Sequence, residues 1–359
     1  MSRVLITGGA GFIGCRLSGA LLSIGDDVAV LDNLHPQVHP SRTVPDDLPA
    51  DVRFVPGDVT AVGSWAAVLA AVRPDVIVHL AAETGTGQSL TEPTRHAGVN
   101  VVGTAAMLEA LEHSHHRPAH LVLASSRAVY GDGAWATEAG EVFYPGQRHA
   151  AQLEAGQWDH RAPDGGLAHA VPSVAGRTVP DPTNVYAATK LAQEHLLNSW
   201  AQARGVHVSI LRLQNVYGPG QSVTNSYTGV LTFFARTALT GGVIDVYEDG
   251  QIVRDFVFVD DVVAAAVAAV QLPANRLVDI GSGDPTTILA VAELVATACG
   301  APTPRVSGRF RHGDVRAASC TIDAATAELS YVPKTSLADG IAAVLEWMPT
   351  SSDFRAAGG

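Results

Sequence analysis

The chain has 359 residues, enough for two ordinary domains or one large α/β domain with an appendage. Its 35 acidic residues against 23 Lys and Arg leave a net charge of −12, which argues against the basic face that sequence-independent nucleic-acid binding requires. At 47% hydrophobic and 16% charged it can bury a substantial core, so disorder is not its default state.

Residues 4–7 read as a buried strand, 12–23 as a helix and 27–31 as a second strand. Residues 52–56 make a third strand, 64–71 a helix, and 76–80 a fourth strand. A helix over 96–112, a strand over 120–125, a helix over 187–203 and a strand over 206–213 continue the alternation. Short apolar strands alternating with helices of this length predict an α/β fold, a doubly wound parallel sheet covered on both faces. Two stretches depart from it. Residues 131–181 have no clear period, carry several Pro, Gly and His residues, and read as an insertion acting as a lid. Beyond Gly218 the alternation weakens, so 1–217 is assigned to the first domain and 218–349 to a smaller mixed α/β substrate domain. Residues 350–359 read as a frayed tail, and C-terminal segments are free to return to the first domain.

Cys15, Cys299 and Cys320 have no CxxC spacing, which gives neither a disulfide framework nor a cysteine zinc site and fits a reducing compartment. The start runs straight into Val4-Leu5-Ile6 without the longer apolar core of a signal peptide, and 262–272 is too short to span a bilayer. The expectation is a soluble cytoplasmic protein with neither membrane nor nucleic acid as partner.

Thr7-Gly8-Gly9-Ala10-Gly11-Phe12-Ile13-Gly14 falls where a strand ends and a helix begins. Glycine suits that turn because the backbone must approach a pyrophosphate closely, and the helix then offers free N–H groups and its positive end. The triple Gly8, Gly11, Gly14 is GxxGxxG, and its meaning comes from the order strand, turn, helix. Asp32, followed by Asn33, closes the second strand, and an acid there suits the ribose diol of an unphosphorylated dinucleotide. This makes the first domain a Rossmann domain for NAD, with Arg16 and Arg42 keeping NADP open. Asp58-Val59 is placed to meet an adenine edge or, equally, to cap the next helix. Leu80-Ala81-Ala82 supplies small-residue backbone that could pass close to a cofactor.

Tyr186 and Lys190 lie one helical turn apart and share a face. An ammonium near a phenol favours the phenolate and lowers its pKa toward neutrality, as a general base requires. The spacing alone is common in helices; Ser125-Ser126 at the end of the 120–125 strand, facing the same crevice, changes the weighing. Asn100 reads either as a polar residue fixing a water or a backbone bend, or as a packing residue.

Together TGGAGFIG, Asp32, Asp58-Val59, HLAA, Asn100, SSRAVYG, YAATK and LRLQNVYGPGQ resemble the extended short-chain dehydrogenase/reductases, within them the nucleotide-sugar epimerase/dehydratase group. The resemblance covers nearly the whole chain apart from the insertion. It implies NAD bound by Gly8, Gly11, Phe12, Ile13, Gly14, Asp32, Asn33, Asp58, Val59, Leu80, Ala81, Ala82, Asn100, Ser125, Tyr186 and Lys190. It implies Ser126 as the catalytic hydroxyl, Tyr186 as the base and Lys190 as the lysine that binds ribose and lowers the phenol's pKa. Asn215, Arg254 and Arg311 match residues that touch the diphosphate of a dTDP- or UDP-linked sugar, a task that suits the arginine fork. The group commonly dimerises through helices that here hold 105–112 and 187–203.

The dehydratases of the group carry Thr-Asp-Glu where this chain has Ser126-Arg127-Ala128, so elimination by that route lacks its acid and base. What remains is reversible hydride transfer at C4 through a 4-keto intermediate, a nucleotide-sugar 4-epimerase, most like those of the dTDP-L-rhamnose type. The motif 218–221 followed by Asn225-Ser226-Tyr227-Thr228-Gly229-Val230 points the same way. A 4-ketoreductase or dehydrogenase, an atypical dehydratase and a non-catalytic dinucleotide sensor are the alternatives. Arg127 reads as a contact for a substrate carboxylate or for the loop that closes the site, or as an ion pair fixing the insertion. His149, His160 and His169 with Asp159 and Asp164 are too irregularly spaced for a metal site, and none is expected.

Overall fold

The computed structural model describes residues 1–223, 229–351 and 354. The segment Asn225-Ser226-Tyr227-Thr228 and most of the expected tail lie outside the described residues. The main sheet has seven strands: β1 Arg3–Thr7, β2 Asp27–Asp32, β3 Arg53–Pro56, β4 Val76–His79, β5 His120–Ser126, β6 His207–Leu213 and β7 Arg276–Ile280. All pair in parallel in the order β7-β6-β5-β4-β1-β2-β3, the doubly wound arrangement expected of an α/β Rossmann fold. The strand order reverses between β1 and β4, the position at which a doubly wound sheet opens a crevice above the strand C-termini.

Side-chain alternation along each strand divides the core in two. Val4, Ile6, Val28, Val30, Val76 and Val78 face one side, against α1 (Phe12–Ser23) and a helix over Val259–Gln271. Leu5, Ala29, Leu31, Ile77, Leu121 and Leu123 face the other, against Trp65 and Leu69 of α2 (Val62–Val72) and Met107 and Leu111 of α3 (Gly103–His113). Leu197 of α4 (Val185–Arg204) completes that layer. Helix α4 starts where Asn184 Oδ1 accepts from the Ala187 N–H (2.9 Å) and stops at Gly205 in the left-handed region.

The expected helix over 96–112 is interrupted. Pro93–His96 is α-helical, Ala97–Val102 opens into a π-turn, and α3 resumes at Gly103. The wider turn lets Asn100, fully buried, bind the Glu83 backbone twice, Oδ1 accepting from its N–H (2.8 Å) and Nδ2 donating to its carbonyl (3.0 Å).

The insertion is a folded body. Trp135–Thr137 pairs antiparallel with Val142–Phe143 and with Ala168–Ala170, and a short helix spans Ala150–Glu154. The second lobe is built on Val253–Phe258, which pairs with Asn215–Tyr217, Pro285–Thr287 and Ala317–Ala318, under helices Val230–Leu239, Ile288–Cys299 and Leu337–Trp347. Between the helix Val259–Gln271 and Ile288 the chain returns to the main sheet as β7.

Candidate active site

A cavity of about 1660 Å3 runs along the C-terminal edge of the sheet and under the second lobe. One end is the β1–α1 turn, where Gly8, Gly11, Phe12, Ile13 and Gly14 all face it. Gly8 has φ +67°, and a Cβ there would lie 2.8 Å from the Ala81 backbone nitrogen. A Cβ on Gly14 would lie 2.5 Å from the Gly9 Cα, so α1 can sit this close to the turn only without side chains. Gly11 caps α1 without a side-chain hydrogen bond, which leaves the first-turn N–H groups available to an anion. This cradle fits a pyrophosphate.

Asp32 stands beside it on the wall with Asn33, its Oδ2 accepting from the Ala10 N–H (3.1 Å) and its Oδ1 from that of Leu34 (2.8 Å). A carboxylate so fixed repels a 2′-phosphate and accepts from a diol. The cations that kept NADP open are not free for it: Arg16 pairs with Asp260 (2.7 Å) and donates to the Pro219 carbonyl (3.1 Å), and Arg42 is not on the wall. Val59, Leu80, Ala81 and Ala82 line the same end. Asp58 and Asn100 do not. The Asp58 carboxylate is taken up by Thr60, through its N–H (2.8 Å) and hydroxyl (2.7 Å), and by Asn33 Nδ2 (2.8 Å). Asn100 also donates to Thr189 Oγ1 (2.9 Å), so it acts on the walls from behind.

Ser125, Ser126, Arg127, Tyr186 and Lys190 meet at the middle of the cavity. Ser125 Oγ donates to Glu194 Oε1, whose carboxylate Arg212 grips through Nε (3.0 Å) and Nη2 (2.7 Å). Lys190 is buried and its Nζ donates to Gln193 Oε1 (2.6 Å). Burial pushes its pKa down to about 7, against the pull of Glu194. The phenol differs from the sequence expectation. Burial holds Tyr186 above its ordinary pKa, while a hydrogen bond from Ser126 and the charge of Arg127 oppose that rise. Sharing a helical face with Lys190 is therefore not enough to lower the phenol's pKa against its burial.

The second lobe supplies the far end. Asn215 and Gln214 face the cavity, and Asn215 Oδ1 and both amide atoms of Gln214 are buried without hydrogen-bond partners among the described residues. Arg254 donates to the carbonyls of Val253 (2.7 Å) and Val315 (2.9 Å); burial, and then the neighbouring charge of Arg127, push it down to about 9. The Arg127 side chain makes no hydrogen bond or ion pair among the described residues, so the ion pair expected as one of its roles is not made. Arg311 lies 5.1 Å from the Tyr247 ring centroid and Arg309 lies 4.9 Å from it. Both guanidinium groups are exposed to solvent on the cavity wall, and Arg309 also pairs with Asp245 (3.3 Å); a cluster of forked cations of this kind suits an anion.

Sequence reasoning missed Glu83, Thr84, Arg95, Tyr247, Arg309 and Asp314, which all line the cavity. Glu83 and Arg95 pair at 2.8 Å across a loop and a helix, a contact with no signature in the spacing of either. The insertion, expected as a lid, contributes no residue to this wall. Among the described residues no three His, Cys, Asp or Glu side chains converge as a metal site, and no helix is long and apolar enough to cross a membrane.

A match to the NAD dependent epimerase/dehydratase family spans residues 4–161 and 166–281. The chain belongs to that family. It is 50% identical to a dTDP-L-rhamnose 4-epimerase from Burkholderia thailandensis, over 98% of this chain and 96% of that one. A UDP-glucose 4-epimerase from Mycolicibacterium smegmatis is 31% identical, over 98% and 99% of the two chains. The Thermus thermophilus UDP-glucose 4-epimerase, solved as a complex with NAD, superposes with a TM-score of 0.74 at 29% identity, covering 99% of each chain. The cradle at Gly8–Gly14 and the Asp32 carboxylate thus line one end of the cavity in a member of an NAD-dependent family.

Proposed function

We propose that the protein is an NAD-dependent nucleotide-sugar 4-epimerase. The observation that carries this is one continuous cavity holding the dinucleotide cradle, the Ser126–Tyr186–Lys190 group and the arginines of the second lobe. The 50% identity to a dTDP-L-rhamnose 4-epimerase supports the reaction class and favours a dTDP-linked deoxysugar, with UDP-hexoses as the second substrate class.

When bound, NAD supplies the redox exchange at C4 of the sugar. Tyr186 takes the proton of the C4 hydroxyl and returns it, and Ser126 holds the same oxygen by a hydrogen bond. Lys190 donates to the ribose beside the reacting ring. Asn215, Arg254 and Arg311 hold the diphosphate, which leaves the sugar room to present either face. Elimination of water instead needs a carboxyl acid and base; Arg127 and Ala128 supply neither, and Glu83 is paired with Arg95. The reading extends to a homodimer built on α3 and α4, which light scattering tests.

The deciding experiment incubates the protein with NAD and a panel of dTDP- and UDP-sugars, followed by mass spectrometry and proton NMR. Expected is a product of unchanged mass with inverted coupling at C4 and no accumulating NADH. Stoichiometric NADH, or a mass lower by one water, would replace the epimerase with a dehydrogenase or a dehydratase.

A further inference from the structure

Residues 309–314 bring Arg309, Arg311 and Asp314 to the cavity, yet no helix or strand lies between Val306 and Ala317. A segment without its own hydrogen-bond ladder is held by its surroundings. Behind it stands the insertion. The Trp158 ring lies 6.2 Å from that of Phe310, and Gly313 sits beside the Gln147 side chain. Arg148, 4% exposed, donates from Nη2 to the Asp314 carbonyl (2.8 Å) and from Nη1 to that of Trp158 (3.0 Å). Both of its terminal nitrogens also reach the Glu248 carboxylate, at 2.9 and 2.8 Å.

Glu248 is the hinge pin of this arrangement. It follows Tyr247, is 1% exposed, and adopts φ +53°, a left-handed conformation that a residue with a side chain keeps only where its surroundings hold it. Its N–H donates to the Arg309 carbonyl (2.7 Å) and its carbonyl accepts from Gly308 (3.2 Å), so the same residue ties the start of the loop to the chain just after the Asp245–Val246 strand. Arg316 closes the far side, with its N–H on Asp132 Oδ1 (3.0 Å), Nε on Asp159 Oδ1 (2.7 Å) and Nη1 on Glu248 Oε2 (3.1 Å). A buried ion pair of this kind returns little net stability, because desolvation offsets its attraction. Its geometric effect is large: two forks, anchored in the insertion and in the second lobe, leave the loop one position.

We propose that the insertion is a brace for the arginine loop, and that Arg148 is a positioning residue which, through Glu248 and the Asp314 carbonyl, holds Arg309 and Arg311 on the diphosphate of the substrate. The proposal rests on the reading that this end of the cavity takes a nucleoside diphosphate. The brace works on affinity. It touches neither Tyr186 nor the glycine turn, so loosening it leaves the chemical step and the dinucleotide in place.

The test uses the NAD-loaded full chain. One variant is the double substitution Arg148→Gln with Glu248→Gln, which leaves no buried charge unpaired; the other is Trp158→Ala, which removes the ring behind Phe310 and no charge. Calorimetry with UDP and dTDP reads the brace without any turnover, so it stays informative even if no sugar is epimerised. Both variants are expected to bind the nucleoside diphosphates about tenfold more weakly, a loss of about 1.4 kcal/mol, and to raise KM by the same factor while kcat and bound NAD hold. Parental affinity in either folded variant would overturn the brace, as would a fall in kcat and NAD content with nucleotide affinity intact. Should the double variant fail to fold, Trp158→Ala decides alone. A parent chain that binds neither UDP nor dTDP would overturn the brace together with the substrate reading beneath it.

Discussion

Tyr186 sits under two opposing influences, burial that keeps its proton on and the Ser126 hydroxyl and Arg127 charge that favour its loss. Tyr186→Phe keeps the ring and removes the oxygen, so turnover should fall by at least about a hundredfold while dinucleotide stays bound. Turnover by NMR and the NAD released on denaturation check this, and near-normal turnover would remove Tyr186 as the base. Arg127 carries a separate expectation. Taking away a cation that opposes the raised pKa lifts it further, so Arg127→Ala should move the basic-form limb of the kcat/KM profile to higher pH. A profile unchanged in pH but lowered in height would mean that Arg127 contacts substrate and leaves the phenol alone.

At the level of elements, much of the main sheet was legible because its apolar runs are short and sharply bounded. Residues 4–7, 27–31 and 120–125 lie within the strands β1, β2 and β5 for that reason, and 206–213 overruns β6 by one residue at its start. The π-turn at Ala97–Val102 was not legible, since it is set by Asn100 reaching the Glu83 backbone from another element. The cradle was visible in Gly8, Gly11 and Gly14, whereas Tyr247 and Arg309 become neighbours only when separate segments fold together. Helix α4 carries a pH expectation of its own. Lys190 holds a pKa of about 7 in the fold against 10.5 when free, so between those values the unfolded chain binds more protons and stability rises with pH. Below about 7 both states are protonated and the buried charge exerts its full destabilising effect. Lys190→Met should therefore stabilise the dinucleotide-free protein most below neutrality, with the gain shrinking toward pH 10; chemical denaturation at several pH values reads it. A gain independent of pH would show that the ammonium is not desolvated.

Across the whole molecule, the cavity joins two surfaces of different chemistry, the glycine turn of the Rossmann sheet and the arginine loop of the second lobe. The insertion, which had no readable period, explains that junction: it is built from short strands and buried forks whose partners lie 100 and 166 residues away in sequence. Because ligand binding to the folded state alone stabilises it, NAD and a nucleoside diphosphate should each raise the melting temperature, by the equivalent of about 2.7 kcal/mol at a hundredfold excess over Kd. The two increments have separate residues behind them. Arg311 is exposed and lies over Tyr247, so Arg311→Ala removes a charge from the arginine end of the cavity at little cost to the fold. That variant should lose most of the increment from UDP or dTDP and keep the full increment from NAD. Gly14→Ala should do the reverse, since its Cβ would meet the Gly9 backbone and push α1 off the pyrophosphate cradle. Loss of both increments in either variant would mean that the two ends of the cavity close as one unit, with each ligand felt at the other's site.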